Sequence, residues 1–272
     1  MKKLAIYTVP FLAALMLVGP TQTPSARAAD IAPVEADVAP VPAESGWTYE
    51  LTPYGWLPGI KGDVGLFGAA PVAIDVKFKD LFNALDWGNF PAIFMLYGEA
   101  RNDRFGVFAD VLHLALNVGA SRVGPPPFSA NLDLEVTLAT ALGFYRVAED
   151  GMSHLDILAG GRLWSVDADL ALALGPLGGA ASDNETWVDP VIGLKGQYAF
   201  NDKIFIKGWG MIGGFGVSSD FMWDVFGGLG YQFTDRFSAT AGWRHVGVDY
   251  SNGAFLFDVD IDGPIIEGSF RF

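Results

Sequence analysis

The chain has 272 residues, with 17 Lys and Arg against 31 Asp and Glu, a net charge of −14 with neutral histidines, and no cysteine. Without clustered bases it is a poor partner for nucleic acid, and without cysteine it is neither a disulfide scaffold nor a thiolate metal site. A composition 51% hydrophobic and only 18% charged, with 34 Gly, 21 Phe, 8 Trp and 8 Tyr, has too few charges for the solvated surface of a secreted soluble domain.

Residues 1–29 read as a secretory signal peptide. Lys2 and Lys3 precede an apolar stretch from Leu4 to Val18, and Ala26-Arg27-Ala28-Ala29 supplies a small-residue cleavage site. The stretch is too short and wrongly flanked for a lasting transmembrane helix. Its removal takes Lys2, Lys3 and Arg27 and no acid, so 17 bases become 14 against 31 acids, a charge near −17. No later run of 18 apolar residues is free of charges or breakers, which rules out a helical membrane protein. Residues 30–46, DIAPVEADVAPVPAESG, have no period and read as a flexible Pro/Ala-rich periplasmic linker.

From Trp47 to Phe272 the chain alternates with the period of β-strands. Short polar turns at Asn102-Asp103, Glu149-Asp150-Gly151, Asn201-Asp202 and Thr234-Asp235 take turns with longer connections near 58–88, 119–130, 173–186, 216–221 and 250–254. Short connections on one side and long ones on the other are the layout of a bacterial outer-membrane barrel. The predicted strands are 47–57, 88–101, 104–118, 130–147, 153–170, 187–200, 203–215, 221–233, 236–249 and 255–272. The expected fold is all-β: an antiparallel, up-and-down transmembrane β-barrel of about ten strands, with eight to twelve open. Residues 58–88 leave the count open, because GIKGDVGLF and VAIDVKF could form another hairpin and KDLFNAL a short helix at the rim or in the lumen.

The strand at 187–200 orients the barrel. Val188, Pro190, Ile192, Leu194, Gly196, Tyr198 and Phe200 share one face, and Asp189, Gly193, Lys195 and Gln197 the other. Lysine on lipid near the midplane costs about 2–4 kcal/mol, so the second face belongs inside. The same rule applied to NLDLEVTLATALGF, residues 131–144, sends its leucines to lipid and Asp133 and Glu135 to the lumen. Phe90, Phe144, Tyr198, Phe200, Tyr231, Phe233 and Phe237 gather near the short turns, as an interfacial girdle would.

Alternation assigns to the lumen Glu99, Arg101, Asp110, Asp133, Glu135, Asp156, Arg162, Asp189, Lys195, Lys207, Asp224, Arg244, Asp258, Asp260, Asp262, Glu267 and Arg271. Asp110 and His113 lie on opposite faces, which leaves room for a bulge. This acid-heavy lining fits a narrow, cation-preferring passive channel for small solutes, and fits equally a barrel plugged by its own ion pairs. DVDIDG at 258–263 imitates the start of a calcium loop, but its twelfth position is Ser269 rather than Glu, so it reads as three lumenal acids, with a bulge expected at Gly263-Pro264.

No enzyme activity, metal or cofactor is expected. His113, His154 and His245 lack a nucleophile at useful spacing, the His-x-Ser arrangement of a lipid A deacylase is missing, and the glycine-rich runs at 208–216 and 227–230 lack the Lys-Ser/Thr of a phosphate loop.

Several segments are similar to a poorly characterised family of proteobacterial outer-membrane β-barrel proteins: LTPYGWLPGIKGDVG at 51–65, GGFGVSSDFMW at 213–223, GWRHVGVDY at 242–250 and GPIIEGSFRF at 263–272. Phe270 and the terminal Phe272 resemble the signal by which the outer-membrane insertion machinery recognises its barrels. The resemblance covers most of 47–272 and implies fold, membrane lipid as surroundings and outer-membrane location; the family has no established catalytic residues to carry over. The alternative to a channel is a monomeric, closed structural or surface-interaction barrel acting through outer loops, above all GPLGGAASDNETW at 175–187. A lipid-modifying enzyme is the third reading.

Overall fold

The period-two pattern becomes twelve strands and one helix in the computed structural model, which describes residues 46–66, 70–86, 93–122, 128–174, 176–253 and 255–272. The signal-peptide and linker assignments up to residue 45, and Phe90, lie outside the described residues. The strands are β1 (Trp47–Trp56), β2 (Gly59–Gly65), β3 (Val72–Val76), β4 (Ile93–Asn102), β5 (Phe105–Arg122), β6 (Phe128–Asp150), β7 (Ser153–Leu174), β8 (Leu177–Ala199), β9 (Ile204–Gly213), β10 (Phe221–Thr234), β11 (Phe237–Asn252) and β12 (Phe255–Arg271); helix α1 spans Phe78–Ala84.

Ten of these strands close the wall. The antiparallel order runs β1, then β4 through β12, and β12 pairs back onto β1. Closure leaves no sheet edge at membrane depth, as a hydrocarbon surrounding demands. The predicted extra hairpin and short helix at 58–88 both exist, yet they add no stave. β12 meets β1 at Trp56↔Ile265 and β2 at Gly59↔Asp262 in one unbroken register, so β2 is β1 continued past Leu57-Pro58. β3 folds back on β2, and α1 leads the chain towards β5, where Asp86 N–H donates to Ala115 O at 3.0 Å. The helix forms where apolar Phe78, Leu81, Phe82 and Leu85 recur at i, i+3, i+4 and i+7, and it buries Leu81.

Three expectations change at this level. Gly263-Pro264 hosts no bulge, since β11 and β12 stay in register from Asn252↔Phe255 to Phe237↔Phe270. Gly263 is required for close approach instead: a Cβ there would stand 2.3 Å from Leu57 O. β5 also runs without a bulge past Asp110 and His113. The stretches read as loops at 119–130 and 173–186 are largely strand, because β5 to β8 run on well beyond their neighbours, with pairs extending to Arg122↔Phe128 and Leu174↔Leu177. These four strands form a projection on the side of the barrel away from the short turns.

Candidate functional site: a charge-locked barrel interior

Inward positions of the ten staves converge on a filled interior with three tiers. In the middle tier, Asp224 of β10 accepts from Arg162 Nη2 at 2.6 Å, Arg244 Nη2 at 2.8 Å and Trp209 Nε1 at 2.9 Å. Arg244 Nη2 also donates to Asp110 at 2.8 Å, and Tyr54 Oη donates to the same carboxylate at 2.8 Å. The Arg244 guanidinium lies 5.2 and 5.3 Å from the ring centroids of Trp56 and Trp209, and Arg162 Nε reaches Thr140 Oγ1 at 2.8 Å. Seven staves thus meet at one knot, in which Asp224, Arg162 and Arg244 are at most 1% exposed. Buried charges paired in this way hold their partners in fixed positions, although Arg162 Nη1 is left without a hydrogen-bond partner among the described residues.

Towards the short turns, Arg146 and Asp156 form a bidentate pair at 2.8 and 3.2 Å, and Lys195 lies 3.3 Å from Asp156 and pairs also with Glu99. Lys207 joins Glu267 at 2.7 Å and Tyr97 Oη at 2.8 Å. Beneath them a cavity of about 200 Å³, lined by Glu50, Glu99, Arg101, Lys195 and Lys207 among others, opens towards the short-turn end.

At the opposite mouth the loop 214–220 is tied inward. Asp189 accepts from Ser219 N–H at 2.8 Å and Ser219 Oγ at 2.7 Å, and Trp187 Nε1 donates to Ser219 Oγ at 2.9 Å. Trp187 stacks on Tyr250 at 3.8 Å and on Trp164 at 5.7 Å. The loop turns through left-handed Gly214, Phe215 and Gly216, and a Cβ on Gly214 would approach Ser219 O to 2.7 Å.

The outer wall has the opposite chemistry. From the short turns up to Phe94, His113, Val188, Trp223 and Trp243, no outward position on any stave carries Asp, Glu, Lys or Arg. Val188, Leu194, Tyr198, Leu229, Trp243 and Ile266 are each more than half exposed. Along β8 this charge-free run lasts from Val188 to Phe200, which at ~3.3 Å per residue and ~40° tilt spans roughly 30 Å, the depth of a bilayer core. Aromatic pairs Phe105–Tyr145, Tyr198–Phe200, Tyr231–Phe233 and Phe237–Phe270 ring its short-turn border.

The chain is an integral outer-membrane β-barrel.

No family model and no curated protein matches it. Among solved structures, the barrel is similar to the outer membrane protease OmpT from Escherichia coli, with a TM-score of 0.52 at 12% identity over 84% of this chain and 97% of that one. The translocator domain of the autotransporter NalP from Neisseria meningitidis aligns with a TM-score of 0.43 at 11% identity over 82% of this chain and 88% of that one. Ail, the attachment invasion locus protein of Yersinia pestis, aligns at 0.35 and 12% identity, over 84% and 100%. The first likeness supports the fold, and none transfers an activity.

Of the predicted lumenal residues, Glu99, Arg101, Asp110, Asp156, Arg162, Asp189, Lys195, Lys207, Asp224, Arg244, Glu267 and Arg271 lie on inward-facing positions; Arg101 stands 3.7 Å from Glu149 and Arg271 pairs with Glu50 at 3.0 Å. Asp133, Glu135, Asp258, Asp260 and Asp262 point outward instead. Their neighbours Leu134, Val136, Phe257, Val259 and Ile261 fill the interior. All five acids stand above the charge-free band, where outward means water and a carboxylate costs nothing. Phe144 likewise leaves the expected girdle for the interior, at 4% exposed. Tyr54, Tyr97, Arg146 and Trp209 were missed as members of the charge network. Arg146 had a signal, since it faces Asp156 across the short turn at 151–152.

The histidines are scattered. His113 bonds Thr137 at 2.9 Å on the outer wall, His154 lies near the short turn, and His245 stacks on Trp223 at 4.4 Å with Asp260 at 3.5 Å.

On the outer wall above the band, Asp249, Asp258 and Asp63 stand side by side across β11, β12 and β2. Partial burial, then Asp249, Asp63 and Asp260, push the Asp258 carboxyl above its usual range. A raised folded-state value means stability that is present below the unfolded value and lost as pH rises through the folded one. The outer ends of β11 and β12 should therefore show higher amide protection factors at pH 4 than at pH 7 by hydrogen exchange. Asp258→Asn should abolish most of that difference; an undiminished difference in the variant would refute the assignment.

Proposed function

We propose that this protein is a closed, monomeric outer-membrane barrel with no enzymatic step, acting at the cell surface through the projecting strands β5 to β8. The observation that carries the reading is the middle-tier knot, in which Arg244 bridges Asp110 and Asp224 and lies against the rings of Trp56 and Trp209. Passive passage of small cations is the competing reading, and the side chains that meet across the interior at the knot speak against it. Phe270 and Phe272 are 45% and 67% exposed, which is consistent with a role as the assembly signal.

Single-channel recording on refolded residues 30–272 in a planar bilayer tests the proposal. The folded protein, recognised by its heat-modifiable gel mobility, should give no steady conductance steps. Reproducible, cation-selective steps would overturn the closed reading and restore the channel.

A further inference from the structure

The projection ends in a sheet edge that no described strand pairs. β9 pairs with β8 only from Val191 to Ala199, and above that level β8 has β7 on one side and, among the described residues, no strand on the other. Leu177 to Ser182 are all exposed. Pro190 O accepts from Gly214 N–H and Val188 O from Ser218 Oγ, so even-numbered residues turn their backbone groups to the open side. The unbroken β7–β8 register carries that alternation up to Thr186, Asn184, Ser182, Ala180 and Gly178. This stretch lacks the Lys, Pro or bulge with which native proteins blunt an edge.

The surface beside the edge specifies charge. Asp133 stands directly opposite Asp169 across β6 and β7, and Glu135 opposite Asp167. Like charges in such pairs weaken a sheet unless a cation intervenes. Among the described residues no Lys or Arg ion-pairs with Asp133, Asp167 or Asp169. A recess of about 220 Å³ runs from Ala180 and Ser182 on the edge strand to Asp169 and Asp133. It has the length and polarity to take a lysine or arginine side chain laid across the small residues.

We propose that the β8 edge, Gly178 to Thr186, accepts an extended basic peptide segment of a partner by strand addition, with its Lys or Arg side chains lying over Ala180 and Ser182 towards Asp169 and Asp133. Main-chain bonds give the affinity in this mode and alternate side chains the specificity. A second copy of the chain is a poorer occupant, because its own edge, Gly178 to Thr186, has no Lys or Arg to bring towards Asp169. The inference rests on the closed, surface-acting reading.

The test uses the full mature chain in detergent micelles and fluorescein-labelled nine-residue peptides alternating Val with Lys or Val with Glu, read by anisotropy. The lysine peptide should bind saturably and the glutamate peptide should not. Ser182→Pro removes an edge N–H without touching the β7 ladder, so it should weaken binding at least tenfold with heat-modifiable mobility intact. Asp169→Asn should weaken it several-fold, and more at low salt than at high. Binding that is absent, or unchanged in Ser182→Pro, would overturn the proposal. So would a dimer of the chain that Ser182→Pro dissociates. Conductance of the same preparations separates the failures: silent protein without peptide binding sinks only the strand-addition proposal, whereas conducting protein sinks the closed reading.

Discussion

Replacing Arg244 by methionine is expected to destabilise the folded barrel by about 3–5 kcal/mol, the usual cost of removing one partner from a buried ion pair. The side chain is 2% exposed and serves two carboxylates, Asp110 and Asp224, so its loss leaves one buried acid without a base. Arg162 remains to hold Asp224 at 2.6 Å, and the uncompensated acid is then Asp110, left with the Tyr54 hydroxyl alone. This identifies the rescue. The double variant Asp110→Asn with Arg244→Met restores charge balance and should recover a large part of the loss, giving a coupling energy of about 1–3 kcal/mol. Urea unfolding in detergent micelles, followed by intrinsic fluorescence and by the heat-modifiable band, measures both. A single variant within 1 kcal/mol of the parent, or strictly additive variants, would mean that the knot does not hold the staves together.

The knot also bears on function. Water-filled barrels keep charges apart along a lumen, whereas here each middle-tier charge is consumed by another and walled by Trp56, Tyr54 and Trp209. On the proposed closed reading, an interior organised in this way stabilises a scaffold, and what the scaffold displays is the projection of β5 to β8. There the inward face carries Leu134, Val136 and Val166, with Asp183 and Glu185 on β8, and the outward face carries Asp133, Glu135, Asp167 and Asp169. Along β7 and β12 the wall therefore inverts its chemistry at the membrane border: polar inside and apolar outside below it, the reverse above it.

That inversion explains what could be read from the sequence and what could not. The closed even-stranded barrel, its short-turn side and its lipid-facing stave at 188–200 were legible, because Asp189 and Lys195 sit at bilayer depth and only one facing avoids putting them in lipid. β6 carries no acidic or basic residue between Val136 and Tyr145, so hydrophobicity alone decides nothing: small Ala139, Ala141 and Gly143 suit lipid, while Leu138, Leu142 and Phe144 suit a packed interior. Its acids, Asp133 and Glu135, lie too high to vote, and Asp258 to Asp262 on β12 misled for the same reason. The missing quantity was height along the barrel axis. It was hidden by reading 119–130 and 173–186 as loops, which cut the predicted strands short of the height that β5 to β8 reach.

The facing of β6 is open to a direct test with a large expected effect. Leu142 is 2% exposed and packs inside, so Leu142→Ala should open a cavity and cost about 2–5 kcal/mol. Its neighbour Ala141 faces outward near mid-band, so Ala141→Arg should cost about 2–4 kcal/mol by placing a cation in lipid. Glu135→Arg, above the border, should stay within about 1 kcal/mol of the parent, because both charges there meet water. With the opposite facing, the ranking would change: Leu142 on lipid would lose little as alanine, and Arg at 141 would enter a lumen already holding Asp156 and Glu99. Unfolding of the three variants in lipid vesicles distinguishes the two facings. The same experiment calibrates the border, since a cost that falls from Ala141 to Glu135 measures where hydrocarbon ends against the strand whose upper half carries the proposed partner-binding acids.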